Sequence, residues 1–561
     1  MSAPRTVVIG GGISGLATAA LLARDGQQVT LLERRDVLGG RAGVWESDGF
    51  TFDTGPSWYL MPEVFDHFYK LLGTSAAEQL DLGRLDPAYR VYSEGAAEPL
   101  DLAANRADNL ALFESVEPGA GERMDAYLTS ARETYDIAIR TFLYTTFESY
   151  RTLVTPEVLA RTPKLVNLLR EDLDSFAART VTDLRLRQIL GYPAVFLGSS
   201  PFDAPSMYHL MSYLDLEDGV LYPQGGFARI IATIAELAVA EGVEIITSAE
   251  VTGITTVPSG RRARVAGVNY IGPDGKRRLL QADRVVSAAD LHHTETKLLP
   301  PELQTYPEAY WEQRTAGPGA VLVMLGVRGE LPELLHHSLF FTADWHDNFG
   351  RIFGEHPTVP DPASIYVCKP SASDAGVAPD GHENLFILVP VPADPSIGSG
   401  GDERVAAIGD AAIAQIAEWA GVPDLADRIV VRRDVGPGDF ATDLNVWKGT
   451  ALGPAHILSQ SAMFRARNVS KKVDGLYYTG GSTTPGIGLP MCLISAELVV
   501  KRMRGDISTG PMSEPLEPAD VAEQTARAAK ASGAVRSGRS GFLGRSVTPS
   551  RSSRSAGGAD L

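Results

Sequence analysis

Short apolar runs and helical spacing alternate at the start of the chain. An apolar strand over Thr6 to Ile9 leads into a glycine-rich turn, a helix over Ile13 to Asp25 and a second strand over Gln28 to Leu32. Gly26 ends the helix because glycine tolerates the backbone conformation of a helix terminus. The order strand, turn, helix, strand predicts a nucleotide-binding α/β unit.

The same alternation returns twice later in the chain. Helical spacing from Ile230 to Ala240 precedes a short strand from Val243 to Ile246, and residues 474–504 again combine strand, glycine-rich turn and helix. Between these stretches, amphipathic helical patterns such as Phe142 to Leu169 and strands such as Ala320 to Val327 predict inserted material. One nucleotide-binding domain is therefore predicted from three separated pieces.

Composition narrows the class of protein. Apolar residues make up 44% of the 561 residues, and the formal net charge of −18 repels phosphate backbones, so nucleic acid is not expected as a partner. Two cysteines exclude a disulfide framework and favour a reducing cytoplasm. We find no secretory leader and no run of 18 apolar residues that predicts a membrane-spanning helix, but attachment to one bilayer face stays open.

The first turn has the pattern G-x-G-x-x-G at Gly10, Gly12 and Gly15. Gly10 permits the tight turn, Gly12 lets the backbone approach a pyrophosphate, and Gly15 lets helix and strand pack closely. Amides at the helix start favour the phosphates, and Glu33, at the end of the second strand, is predicted to accept hydrogen bonds from the adenosine ribose. Arg34 and Arg35 are interpreted as solvated surface, because Glu33 would repel a 2′-phosphate.

This fingerprint alone does not separate FAD from NAD. A second motif follows at Gly39-Gly40-Arg41, and Gly55-Pro56-Ser57 comes after it. Adjacent glycines allow a turn against the same pyrophosphate, and Arg41 offers a charge-assisted contact. The G-G-R motif after a ribose-binding acid resembles the flavoprotein superfamily of monoamine oxidases, protoporphyrinogen oxidases and carotenoid desaturases, which implies FAD.

Further stretches narrow the resemblance. They are Tyr222 to Phe227, Asp439-Phe440, Gln460-Ser461, Phe464-Arg465 and the run from Gly475 to Glu497. Together they resemble the bacterial phytoene desaturase family over roughly residues 5–505. Gly481 stands where many superfamily members have an acid that binds the ribityl chain. The absence of this acid favours carotenoid desaturases over amine oxidases.

The resemblance and the glycine motifs together imply a set of FAD-binding residues. No metal site is predicted. The predicted FAD-binding residues are Gly10, Gly12, Ile13, Ser14, Gly15, Glu33, Gly40, Arg41, Gly55, Pro56, Ser57, Val251, Gly480, Gly481, Gly488, Leu489 and Pro490. The pairs His292-His293 and His336-His337 are not expected to bind metal, because neighbouring side chains rarely converge on one ion. No catalytic residue is assigned.

The resemblance also implies an α/β fold with a Rossmann-like FAD-binding domain assembled from discontinuous segments, an α+β substrate domain and a helical insert. The three FAD-binding segments are expected at 1–80, 221–298 and 471–508, the helical insert at 81–220, the substrate domain at 299–470 and a disordered basic tail at 509–561. That tail is either solvated or in contact with anionic lipid head groups.

The implied reaction removes two hydrogens from phytoene or a related carotenoid, with quinone or oxygen reoxidising the flavin. An apolar tunnel would bind such a chain, and the insert offers suitable aromatic residues: Phe142, Phe147, Phe196, Phe202 and Tyr208. Because the substrate is insoluble in water, we expect a cytoplasmic protein attached peripherally to the inner face of the cell membrane. Two alternatives stay open: an amine or porphyrinogen oxidase, and a non-catalytic prenyl-lipid escort on the same fold.

Overall fold

A five-stranded parallel sheet underlies the glycine-rich turns. The computed structural model describes residues 3–149 and 156–519. The sheet's strands are all parallel, and their order is Leu476–Tyr478, Arg284–Ser287, Arg5–Ile9, Gln28–Leu32 and Glu244–Ile246. Its strands come from three distant regions of the chain, and their apolar runs are buried because helices cover the sheet. The predicted α/β fold class is confirmed.

The helix Ile13–Arg24 lies at the centre of this region. Its residues from Ile13 to Leu22 are all buried, because the helices Phe227–Ala240 and Leu489–Arg504 pack against it beside the sheet. Alanine-rich sequence suits both the helix and this close packing. The helix ends one residue before the predicted position, and Gly26 follows with a φ of +87°.

A seven-stranded sheet forms the second layer. Its strands lie in the order Ile429–Val435, Gly319–Arg328, His382–Val391, Ile365–Cys368, His337–Phe341, Tyr89–Ser93 and Leu100–Leu102. All neighbours are antiparallel except the pair Tyr89–Ser93 and His337–Phe341. The helix Glu403–Ala420 covers one face, where Val321 and Val323 point into one apolar core, whereas Leu322 points into another.

Smaller elements complete the strands and helices. A smaller sheet pairs Glu250–Ser259, Arg262–Ile271 and Arg277–Gln281 antiparallel, and the short strand Val473–Asp474 joins Arg262–Ile271 in parallel. Two antiparallel pairs join Val44–Ser47 to Phe50–Asp53 and Leu82–Arg84 to Leu221–Pro223. The remaining α-helices are Pro62–Leu71, Ala76–Gln79, Arg106–Val116, Ala120–Ile137, Pro156–Arg170, Leu173–Thr180, Leu184–Gly191, Pro193–Phe196, Met211–Tyr213, Leu291–Lys297, Glu308–Trp311, Trp345–Phe353 and Pro437–Asp443.

The predicted helical pattern from Phe142 to Leu169 is two elements rather than one. A π-helix spans Ala138–Leu143, and the helix Pro156–Arg170 begins thirteen residues later. Phe147 has a φ of +53°, a conformation that a continuing helix does not allow. The amphipathic period alone did not reveal this break.

Residues up to Leu516 form one unit, and residues 517–519 are the described start of a second. The predicted tail boundary at 509 therefore falls inside the first unit. Leu516 is buried, and Lys501 Nζ donates to the carbonyls of Ser508 and Gly510 at 2.9 and 2.7 Å. The rest of the predicted tail, from 520 onward, lies outside the described residues. No helix in the described portion of the chain has the length and apolar character that a membrane span requires.

Candidate active site

A cavity of about 710 Å³ opens along the carboxyl ends of the parallel strands. The last residues of four strands, Ile9, Leu32, Ser287 and Tyr478, all line it. In parallel α/β sheets this edge is where ligands bind, because the strands end there and the following helices begin there. The same cavity continues between the helical insert and the seven-stranded sheet.

The first glycine turn presents bare backbone to this cavity. Gly10 has a φ of +100°, and a side chain on Gly12 would meet nothing nearer than the carbonyl oxygen of Gly39, at 3.8 Å. A Cβ on Gly15 would lie 1.9 Å from the carbonyl oxygen of Gly10, so only glycine allows helix and strand to approach this closely. The open face of Gly12 fits the close approach of a pyrophosphate.

Glu33 stands at the cavity wall with its carboxylate anchored. Its two carboxylate oxygens accept hydrogen bonds from the amides of Gly11, at 2.6 Å, and Arg35, at 2.8 Å. Arg34, interpreted from the sequence as solvated surface, is half-buried. It lines the cavity and donates to the backbone carbonyls of Thr442, at 2.8 Å, and Asp443, because those carbonyls are within reach of its guanidinium.

Arg41 supplies the positive charge at the same end. Its Nε atom is buried without a hydrogen-bond partner among the described residues, although the side chain lines the cavity. Burial raises the pKa of Asp290, and the nearby Arg41 acts against that rise. A cavity-lining guanidinium with an unsatisfied N–H fits an anionic ligand such as a pyrophosphate, since an unmade hydrogen bond there is costly.

The C-terminal glycine turn closes the opposite side. The amide of Gly480 donates to Ser495 Oγ at 3.0 Å, and the Gly481 carbonyl accepts from the Arg465 guanidinium. Gly488, with a φ of +114°, precedes the helix Leu489–Arg504, whose first residues line the cavity. Helix N-terminal amides and their dipole favour electron-rich groups at this position.

The predicted FAD-binding residues converge on one cavity. All of them line it except Gly15, which is buried beneath the turn. They come together because the turns after three strands of the parallel sheet meet at one edge. Their direct contact with FAD stays a prediction. The unobstructed backbone of Gly12, the Arg41 Nε without a partner among the described residues and the start of the helix Leu489–Arg504 all fit this cofactor.

The rest of the cavity is lined by apolar and aromatic side chains from many elements. They include Met61, Phe142, Leu143, Phe147, Leu169, Val195, Phe196, Met207, Leu210, Leu214, Leu339, Phe341, Phe349, Ile365 and Leu388. Of the five aromatic residues suggested from the sequence, Phe202 is the exception. It stacks on His346 with ring centroids 3.9 Å apart instead of lining the cavity.

Several cavity residues were not anticipated from the sequence. Trp58, Tyr192 and Trp345 line the cavity, and each has a buried polar atom without a partner among the described residues. His456 also lines it, and burial lowers the pKa of this imidazole well below its ordinary value. These residues share no motif, so only the assembled fold reveals them.

One histidine pair departs from expectation. His336 and His337 lie beside Cys368, and one ligand atom of each falls within 4.8 Å of the other two. The adjacent histidines alone gave no reason to expect such a group, because the cysteine comes from a paired strand. His292, by contrast, lies 3.0 Å from the carboxylate of Glu308 and joins no such group among the described residues.

Comparisons with known proteins agree with this site. A family model described as flavin containing amine oxidoreductase matches residues 13–504. The chain is similar to a carotenoid 3,4-desaturase of Haloarcula japonica, with 40% identity over 91% of this chain and 99% of the relative. A zeta-carotene-forming phytoene desaturase of Myxococcus xanthus is 35% identical over 89% of this chain and 93% of its own.

A solved oxidoreductase structure from Methanosarcina mazei shares the fold. Its TM-score is 0.57 at 16% identity, and the match covers 89% of this chain and all of that one. The cofactor that this family uses is the one predicted from the glycine motifs, so FAD is the cofactor of this chain. The chain belongs to the flavin-containing amine oxidoreductase family, and within it to the group formed by the carotenoid and phytoene desaturases.

Proposed function

We propose that this protein is an FAD-dependent carotenoid desaturase that acts on phytoene or a related long polyene. The observation that carries this proposal is one cavity that extends from the glycine turns around Gly12, Gly40 and Gly480, here called the nucleotide end, to a region walled by apolar and aromatic side chains, here called the apolar end. An amine substrate would call for polar partners there, and an escort protein would not require both glycine motifs together with Glu33. The activities of the desaturase relatives support the same reaction.

The reaction converts a CH–CH unit into a double bond. FAD, when bound, accepts two electrons with one of the hydrogens, and the second hydrogen leaves as a proton. The chain's task is to hold the polyene in place and to exclude water. Burial of an apolar chain of about forty carbons contributes about 0.8 kcal/mol for each methylene, so binding needs no charged anchor.

The substrate's insolubility and the cavity's rim together support attachment to a membrane surface. Leu458, Met463 and Phe464 all line the cavity, yet their exposed fractions are 42%, 37% and 57%. The segment that carries them meets the helical insert where Tyr208 donates to Ser461 Oγ at 2.9 Å. Exposed apolar side chains around such an opening suit insertion into the lipid interface, from which the carotenoid would enter.

The membrane proposal is tested by vesicle co-sedimentation. Phe464→Asp should reduce binding of the FAD-loaded protein to vesicles of anionic and zwitterionic lipid by about tenfold, because an apolar ring that enters the lipid is replaced by a charge. Leu279→Asp is the matched control, since Leu279 is 55% exposed and lies outside the cavity. Equal vesicle binding by both variants would contradict the assigned surface.

Two desaturation reactions are candidates. The 35% identity to a phytoene desaturase supports phytoene as the substrate, and the 40% identity to a carotenoid 3,4-desaturase supports 3,4-desaturation of a more unsaturated carotenoid. Quinone or oxygen is the proposed electron acceptor in either case. The cell membrane's inner face is the proposed location.

The activity test uses the FAD-loaded full chain in liposomes that contain phytoene and a quinone, with products analysed by chromatography and absorption. We expect products with more conjugated double bonds. A parallel set of reactions, with more unsaturated acyclic carotenoids in place of phytoene, decides between phytoene desaturation and 3,4-desaturation. Gly12→Ala, which should fold but bind FAD poorly, is the control. If the flavin-loaded protein leaves every carotenoid unchanged, the proposal is wrong. If the protein binds no flavin, the escort alternative is favoured.

A further inference from the structure

His336, His337 and Cys368 form a buried cluster behind the cavity wall. His337 and Cys368 are directly opposed residues of two antiparallel strands, so their side chains lie on the same face of the sheet. His336 precedes the strand, which frees its ring from the alternation of the pleat, and its ring centroid lies 4.6 Å from that of His337. The three side chains are 0–5% exposed.

In each imidazole, one nitrogen is held by a hydroxyl group and the other has no partner among the described residues. Nδ1 of His336 lies 2.6 Å from Ser373 Oγ, and Nδ1 of His337 lies 2.9 Å from the Tyr366 hydroxyl. If each Nδ1 donates its hydrogen, each Nε2 keeps a free lone pair. Both Nε2 atoms are buried and have no hydrogen-bond partner among the described residues. Metal-bound histidines usually have their second nitrogen fixed in this way.

Burial favours the uncharged form of all three side chains. Burial lowers the pKa of His336 to about 3 and that of His337 well below its ordinary value, so both rings stay neutral at physiological pH. Burial also raises the pKa of Cys368 to about 12, which makes a bare thiolate unfavourable.

We propose that His336, His337 and Cys368 form a binding site for one copper(I) ion. A thiolate with two imidazoles is a donor set that soft copper prefers. A closed zinc site would require a fourth ligand, and the described residues add no further histidine, cysteine or carboxylate to this group. Cu⁺ replaces one proton, so the charge of the cluster does not change. A zinc ion would add a further positive charge to the buried site.

A metal in this place would brace the cavity wall. The ring of His337 stacks on Trp58 with centroids 4.5 Å apart and an angle of 13°, and Tyr366 contacts Ser57 Oγ at 2.6 Å. Trp58, Tyr366 and Ser57 all line the cavity. The site is therefore a structural support beside the place where substrate and cofactor meet, and it takes no part in the redox step.

The first test is an anaerobic titration of the FAD-loaded full chain with Cu(I) against bicinchoninate, with Zn²⁺ in a parallel series. We expect one Cu(I) per chain, and a decrease in affinity of at least about 100-fold in Cys368→Ser and in His337→Gln. Cys492→Ser is the control, because Cys492 is the second free cysteine and lies outside the cluster. Its copper stoichiometry should equal that of the original protein.

Copper-edge X-ray absorption of the unmodified protein keeps the proposal testable if a variant misfolds. We expect one sulfur and two nitrogen neighbours. Failure of the FAD-loaded chain to compete for Cu(I), loss of copper in Cys492→Ser but not in Cys368→Ser, or a neighbour shell without sulfur would each overturn the site. Tighter binding of Zn²⁺ than of Cu(I) by the same residues would overturn the assignment to copper.

Discussion

The two ends of the cavity are built in different ways. At the nucleotide end, two short glycine motifs present backbone groups to the cavity, and Glu33 and Arg41 are the charged side chains beside them. At the apolar end, many side chains from the helical insert and the seven-stranded sheet line the cavity, and no sequence motif marks any of them. The nucleotide end should therefore be sensitive to single changes, whereas the apolar end should tolerate them.

The sharpest test of this difference is a pair of alanine substitutions in one turn. Gly15→Ala places a Cβ 1.9 Å from the Gly10 carbonyl oxygen, so we expect a loss of more than about 4 kcal/mol in unfolding free energy and little folded protein. Gly12→Ala places its Cβ in ordinary contact, 3.8 Å from the Gly39 carbonyl oxygen, so the apoprotein should keep its stability but bind FAD at least about tenfold more weakly. Thermal unfolding and FAD titration measure the two effects.

Equal loss of stability in both glycine variants would contradict the separate roles given to these two positions. Gly253→Ala is a suitable control, because a Cβ at that position would meet nothing within 4 Å. Its unfolding temperature and its FAD affinity should match those of the original protein.

The second expected effect concerns a buried acid behind the apolar end. Burial raises the pKa of Asp215 from 3.8 to about 7, and its neighbour Leu214 lines the cavity. The folded state therefore keeps a proton that the unfolded state releases, so stability declines as pH rises from about 4 to 7, by up to about 4 kcal/mol. Asp215→Asn should flatten that decline, because the amide stays neutral and its oxygen still accepts from Tyr89.

Denaturant unfolding across this pH range measures the slope. Asp427→Asn, which changes an exposed acid, should leave the slope unaltered. A decline of the same size in Asp215→Asn as in the original protein would show that Asp215 is not its source.

The third effect returns to the nucleotide end. Glu33→Ala leaves the amides of Gly11 and Arg35 without their carboxylate and removes the predicted ribose contact. We expect FAD to bind about 10- to 100-fold more weakly, which corresponds to about 1–3 kcal/mol. Fluorescence titration of the apoprotein with FAD gives the affinity, and an unchanged value would contradict the role of Glu33.

The smallest effect is expected at the apolar end. Phe142→Ala removes one ring from the cavity wall and should raise KM for the carotenoid about three- to tenfold with little change in kcat. Phe202→Ala is the matched control, because Phe202 is half-buried like Phe142 but stacks on His346 away from the cavity. A fall in kcat of more than about tenfold for Phe142→Ala would mean that the apolar end is as sensitive to single substitutions as the nucleotide end.

The same contrast explains what the sequence could predict. The turn from Gly10 to Gly15 and the acid at Glu33 lie within one strand-turn-helix-strand unit, so local pattern was sufficient to predict them. Trp58 and Tyr192 meet only after the helical insert packs on the seven-stranded sheet. Cys368 joins His337 through strand register across 31 positions, and no period in the sequence encodes such a pairing.

The limits of local pattern also appear in the elements themselves. The helix after the first turn and the strand Gln28–Leu32 were predicted to within one residue, because capping, burial and period agree there. The break after Leu143 was not predicted, since apolar residues continue at helical spacing through it. The hydrogen bonds of Arg34 were not predicted, because its partners are backbone carbonyls more than 400 positions away.

The proposed function requires that FAD at the glycine turns and a polyene at the apolar wall react within a single complex. A single-turnover experiment measures this reaction when the FAD-loaded protein is mixed with phytoene, and with a more unsaturated carotenoid, in the absence of oxygen and quinone. For at least one of them, the absorption of oxidised flavin should fade in step with the appearance of a longer polyene, one double bond for each flavin. Flavin that stays oxidised while every carotenoid is bound would show that the two ends of the cavity do not serve one reaction.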